Sequence, residues 1–212
     1  MTHPQGLRER KKQQTRDLIA ETARSLFTER GFDAVTVDEV AREADVSRKT
    51  VFNYFPTKED LVYWRLETFE SELLTAIDER ASGESITGAF GRFVLERRGL
   101  LAQQDSGAVE RLAALTRMIV ESPALLARER QIFERYTASL AKLIAEQTRA
   151  RPGAVEPWVA ANVLMGVHRA LVDFTRERIV AGMRNPQLAR DVRRQGRRAL
   201  ALLEHGLGRL GA

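Results

Sequence analysis

Between Ser47 and Pro56 the chain reads SRKTVFNYFP, and its side chains are of the types that can hydrogen-bond to nucleic-acid bases. At about 100° per residue, Arg48, Lys49, Phe52 and Asn53 fall on one side of a helix, with Val51, Tyr54 and Phe55 on the other. Arg and Lys can donate to guanine, Asn can pair both ways with adenine, and an aromatic edge can touch a thymine methyl. Charge alone favours a merely solvated face, since most basic helix faces are only wet. An outward Phe52 needs a partner, and that tips the reading towards base edges in a major groove.

The elements that must hold these residues announce themselves through caps. Thr36 can cap a helix, Glu39 three residues on completes a capping box, and Val35 and Val40 are spaced as a hydrophobic staple. Ser47 repeats the device with Val46 and Val51, and Thr57 repeats it with Asp60. Pro56 has no N–H and pushes Phe55 out of helical geometry, so the second helix ends there. Two short capped helices joined by a tight turn make a helix-turn-helix. Ahead of them a helix over about Thr15 to Arg30 carries Ile19, Ala23, Leu26 and Phe27 on one face, with Gly31 as its stop. Before that helix, Arg8, Arg10, Lys11, Lys12 and Arg16 stand against Glu9 alone. They read equally as a solvated tail or as a basic arm that follows phosphates or enters a minor groove.

On LFTERGFDAVTVDEVAREADVS and then SRKTVFNYFPTKEDL, the chain resembles the TetR family of bacterial transcriptional repressors, closely over its first third and beyond that only in length and helical character. The resemblance implies that the helix after Ser47 is the recognition helix, giving Arg48, Lys49, Thr50, Asn53 and Tyr54 DNA-contact roles, with Thr36 and Lys58 on phosphates. Phe52 stands where the family usually has Tyr, which removes a hydroxyl that could reach a phosphate. Asp45 stands where it usually has Gly, and Asp tolerates the left-handed geometry of the turn better than most residues.

The 212 residues are 43% hydrophobic and 30% charged with a net charge of +5, enough for a core and modestly basic. There is no cysteine, hence no disulfide, thiolate metal site or thiol nucleophile. His3, His168 and His205 are scattered without metal spacing. No signal peptide and no apolar run near the ~20 residues of a membrane span is apparent, so a cytoplasmic protein is expected, with no membrane partner. Gly206 to Gly211 matches G-x-G-x-x-G, but no strand precedes it. No cofactor or enzyme motif is found.

Helical periodicity continues to the end, so the fold class is all-α: a three-helix DNA-binding unit with a basic arm over 1–57, then a larger helical effector-binding and dimerisation domain over 58–212. One helix is expected from Lys58 to about Arg80, another from Ile86 to Leu101, weakened by Gly88, Gly91 and Gly99, and a third carries Leu112 and Ile119. Ser122-Pro123 opens a long helix. Trp158 to Gly182 is apolar nearly all round and should be covered on two sides, one by a second copy of the chain across a two-fold interface. The last helix begins at Asn185-Pro186, and these last two helices are where the two-fold dimer interface is expected.

Phe93, Leu115, Met118, Phe133, Tyr136 and Met165 are expected to line an apolar effector cavity, with Asn162 and His168 as its polar groups, although such a stripe is also what a plain core looks like. The expected function is a homodimeric repressor released from a palindromic double-stranded DNA operator by a small apolar or amphipathic ligand. The alternatives are a helical small-molecule-binding protein and a ligand-independent DNA-binding regulator.

Overall fold

In the computed structural model residues 6–64, 66–96, 106–183 and 185–205 are described, and among them the chain forms ten helices and no strand. It is all-α, and it packs as two compact units. The first takes Met1–Glu67 together with Met118–Glu129, and the second takes Thr68–Arg117 with Arg130–Ala212. The packing boundary thus lies after Glu67, whereas the functional boundary expected from the motifs lies between residues 57 and 58.

The first unit contains α1 (Leu7–Arg30), α2 (Val37–Glu43), α3 (Arg48–Tyr54) and α4 (Asp60–Tyr63). α1 begins well before Thr15, because Arg, Glu, Lys and Gln are all good helix formers and nothing after Gly6 breaks them. Arg8, Arg10, Lys11 and Lys12 therefore stand exposed on a helix rather than on a loose tail. Ile19, Ala20, Ala23 and Phe27 of α1 bury against a core completed by Val40, Ala41, Val51, Phe55 and Leu61. The stop at Gly31 needs glycine, since its φ of 84° and ψ of 153° lie where a side chain is strained. The turn sets Phe32 edge-on to Phe27, with ring centroids 5.1 Å apart.

The α2–α3 turn is a Schellman motif: Val46 N–H donates to the Ala41 carbonyl at 2.9 Å and Asp45 N–H to the Arg42 carbonyl at 3.2 Å. It requires a left-handed residue, and Asp45 takes that role at φ 52°. Asp45→Gly is therefore expected to stabilise the unit by about 0.5–1 kcal/mol, read as a rise in the thermal unfolding midpoint. An unchanged or lowered midpoint would mean that the Asp45 side chain contributes more than its strained backbone costs.

The segment Met118–Glu129 joins this unit through two polar ties. Tyr63 Oη donates to the Leu125 carbonyl at 3.0 Å, and Arg128 Nε donates to Asp60 Oδ1 at 2.8 Å. Asp60 also closes the third capping box, because its Oδ2 accepts from Thr57 N–H at 3.0 Å and from the Thr57 hydroxyl at 2.9 Å.

The remaining helices are α5 (Leu66–Asp78), α6 (Ile86–Leu95), α7 (Ser106–Glu121), α8 (Pro123–Thr148), α9 (Glu156–Val180) and α10 (Asn185–His205). The single helix expected from Lys58 to Arg80 is described as α4 and α5 on either side of residue 65. Gly99, Leu101, Gln104, Asp105, His3 and the Gly206–Gly211 motif lie outside the described residues. Pro123 opens α8 with Ser122 as cap, whose Oγ accepts from Leu125 N–H at 3.4 Å. In the second unit α5 runs beside α8, where Glu70 accepts from Arg135 Nε at 2.9 Å and from Ser139 Oγ at 2.7 Å. Gln147 near the end of α8 accepts from Arg80 at 2.5 Å and donates to Asp78 at 2.9 Å. Leu73, Ile77, Phe90, Phe93, Tyr136, Leu140 and Leu164 bury between these helices.

Candidate nucleic-acid interface

The caps at Thr36 and Ser47 fix the α2–α3 pair from the inside. Glu39 N–H donates to Thr36 Oγ1 at 3.2 Å, while Thr36 N–H and its hydroxyl both donate to Glu39 Oε2 at 2.8 Å. Arg30 reaches the other oxygen of Glu39 at 2.6 Å. The Thr36 N–H first, then the Arg30 guanidinium, hold the Glu39 carboxyl down at about 2, so it stays ionised and the cap stays closed at neutral pH. Ser47 Oγ accepts from Thr50 N–H at 3.0 Å and lies 2.8 Å from the Thr50 hydroxyl. The Thr36 and Thr50 hydroxyls are thus already engaged in caps.

With α3 held this way, Val51 and Phe55 sink to 1% exposure and the opposite face opens. Arg48, Lys49 and Asn53 are exposed, Phe52 is 38% exposed and Tyr54 is half-buried at the edge. The division of faces expected from helical periodicity is the one the backbone produces. Arg48 carries its guanidinium 5.5 Å from the Phe52 ring centroid and pairs with Asp38 of α2 at 3.1 Å. This ion pair is well solvated, with both side chains more than half exposed, so it orients Arg48 while adding little stability.

Lys58 is placed differently from expectation. Its Nζ donates to the Phe32 carbonyl at 2.5 Å and sits 4.1 Å from the Phe32 ring centroid and 5.8 Å from that of Phe27. Burial holds this ammonium below the usual lysine range. Lys58 ties the start of α4 to the Gly31 turn, so Lys58→Ala is expected to loosen the first unit before it touches any phosphate contact.

Residues 19–63, the span that includes this capped pair, match the family model described as bacterial regulatory proteins, tetR family. The chain is also 30% identical over 149 residues to the HTH-type transcriptional regulator TcmR of Streptomyces glaucescens, covering 66% of this chain and 63% of TcmR.

Residues 19–63 belong to the tetR family.

It is also similar to the nucleoid occlusion factor SlmA of Vibrio cholerae, at 25% identity over 164 residues, 76% of this chain and 83% of SlmA. Among solved structures, native NalD, the secondary repressor of the MexAB-OprM multidrug efflux pump in Pseudomonas aeruginosa, aligns with a TM-score of 0.54 and 19% identity over 88% of this chain and 97% of NalD. That likeness establishes the fold. The tetR-family relatives are regulators rather than enzymes, in line with the lack of any catalytic motif. No helix among the described residues is long and apolar enough to cross a membrane.

The residues expected to line an effector cavity divide between different surroundings. Phe93, Phe133, Tyr136 and His168 come together in the second unit, around a ring that sequence reasoning left out, Phe69 of α5. Phe69 stacks on His168 at 4.8 Å and on Tyr136 at 5.8 Å, and meets Phe93 edge-on at 5.2 Å. Phe133 approaches His168 from α8 at 5.5 Å. Met165 is buried and Leu115 partly so, while Met118 falls in the first unit. Asn162 is corrected: it is exposed, and its Nδ2 donates to the Trp158 carbonyl at 2.8 Å, so it faces away from the cluster. Its placement follows the exposed stripe of α9, which periodicity could not separate from the inner one on a helix apolar nearly all round.

Proposed function

We propose that this chain is a cytoplasmic, homodimeric, sequence-specific DNA-binding transcriptional regulator, acting as a repressor that a small apolar or amphipathic ligand releases from a palindromic operator. The observation that carries the reading is the outward face of α3. Arg48, Lys49, Phe52 and Asn53 project from a two-turn helix whose other face is anchored by Val51 and Phe55. Arg48, Lys49, Thr50, Phe52, Asn53 and Tyr54 are assigned to base and backbone contacts, and the helix start at Thr36 to the neighbourhood of a phosphate.

Dimerisation is supported by α9. Trp158, Val159 and Val163 are 50%, 54% and 42% exposed, and Val155 just before the helix is 64% exposed. They form one apolar stripe at helical spacing that continues into the small, exposed Gly166 and Ala170. Such a stripe suits a two-fold contact with a second copy, which would place two copies of α3 on successive major grooves.

The test is fluorescence anisotropy on operator and scrambled duplexes at two salt concentrations. Asn53→Ala is expected to lower the preference for operator by about 1–3 kcal/mol while leaving scrambled DNA binding unchanged. Equal losses on both duplexes would sink the assignment of Asn53 to a base.

The ring-on-ring packing of Phe69, Phe93, Phe133, Tyr136 and His168 favours a second reading, a regulator that takes no ligand within that cluster. Native mass spectrometry of the purified protein separates the two: a dimer with added mass supports the ligand-responsive form, and a monomer removes the basis of the palindromic model.

A further inference from the structure

An opening of the second unit lies away from the aromatic cluster, between α6 and α10. It is a groove of about 460 Å³, within the range of small-molecule sites, and it shares no residue with the apolar stripe of α9. Its floor is built from Gly88, Gly91, Leu95, Leu200 and Ala201, and its rim from Arg92, Arg193, Arg197 and Glu96. The helices meet closely there, since a Cβ on Gly91 would stand 2.6 Å from Leu200 Cδ1. The floor is therefore packed side chain rather than open space.

The rim charges are not equivalent. Arg92 is taken by Glu84, to which its Nε donates at 3.0 Å and its Nη2 at 3.1 Å. Arg193, which lines the groove, donates its Nε to the Leu95 carbonyl at 3.3 Å, its one side-chain bond among the described residues. Arg197 follows one turn later on α10 and is exposed. Two guanidiniums spaced four residues apart, above leucine and glycine, present planar donors to an anion and apolar surface to whatever the anion carries.

We propose that this α6–α10 groove binds a small amphipathic carboxylate, with its head on Arg193 and Arg197 and its apolar tail along Leu95, Leu200 and the glycines. The site stands on the geometry of the second unit alone and does not need the DNA-binding reading to hold. If that reading holds as well, the groove is the place where a ligand of this class is recognised.

The experiment is isothermal titration of the full-length protein with decanoate below its micelle concentration, with decanol and decyltrimethylammonium of equal chain length as controls. Saturable one-to-one binding of decanoate is expected, weaker by at least about tenfold for decanol and lost for the cation. Arg197→Glu should weaken decanoate by about tenfold or more with an unchanged thermal melt, and Arg193→Glu provides the same test if the first variant folds poorly. The proposal is overturned if decanol binds as well as decanoate, or if both variants bind like the parent. It is equally overturned if Phe133→Ala abolishes binding that the arginine variants keep. Operator binding is measured in parallel without decanoate. A protein that binds operator but not decanoate loses the groove and keeps the DNA reading, and the reverse result does the opposite.

Discussion

Arg128→Ala should destabilise the first compact unit by about 3 kcal/mol, the lower end of the cost of removing one partner from a buried ion pair. Asp60 is 8% exposed. One of its oxygens accepts from Arg128 Nε, with Nη2 also at 2.8 Å, and the other accepts twice from Thr57. Removing the guanidinium leaves a carboxylate that water reaches poorly and that cannot leave its cap. The Arg128 side chain is itself 26% exposed, which is why the lower end applies. Urea unfolding followed by Trp64 fluorescence measures the loss. Asp60→Asn combined with Arg128→Leu should recover a good part of it, because no unpaired charge then remains. A loss below about 0.5 kcal/mol in the single variant would show that the pair behaves as a solvated surface contact.

The second large effect is a pH dependence centred on His168. Burial among Phe69 and Phe133 pushes its imidazole down to about 4. In the unfolded chain a histidine titrates near ~6.5, so between these values the unfolded state binds a proton that the folded state refuses. Stability is therefore full above about pH 6.5, falls as the pH drops towards 4, and loses no more from this group below that, for a total of at most about 3 kcal/mol. His168→Phe keeps a ring between its neighbours and removes the proton. Urea melts at pH 7 and pH 4.5 should show the parent losing distinctly more stability than the variant. Equal losses would mean that His168 is hydrated and titrates normally in the folded protein.

Features decided by near neighbours in the chain are the ones legible in the sequence. A capping box is complete within four residues, so the residue types at Thr36 with Glu39, and at Thr57 with Asp60, are enough to reveal it. The same holds for the division of α3 into an inward Val51 and an outward Asn53. The contacts that refine the site come from further along the chain. Arg48 meets Asp38 ten positions away and Lys58 meets Phe32 twenty-six positions away, and no periodicity encodes either. The effector residues are the least legible. The outer stripe of α9 carries Trp158, Val159 and Val163 as well as polar residues, so apolarity does not mark the inner one and Asn162 is expected on the wrong side, while Phe69 looks like any other apolar position of its helix.

The close approach of α6 and α10 ties together positions far apart in the chain. A Cβ on Gly196 would fall 2.2 Å from Leu95 Cδ2, just as one on Gly91 would fall on Leu200. Both leucines can swing aside, but each lines the groove, so each would swing into it. A methyl added at either glycine is thus transmitted as a narrowing of the groove, on a helix that need not move at all. To keep the shape of the groove, a larger residue at 196 calls for a shorter one at 95, and a larger one at 91 for a shorter one at 200. Divergence in this corner of the molecule should therefore run as linked exchanges, with the shape of the groove inherited as a unit.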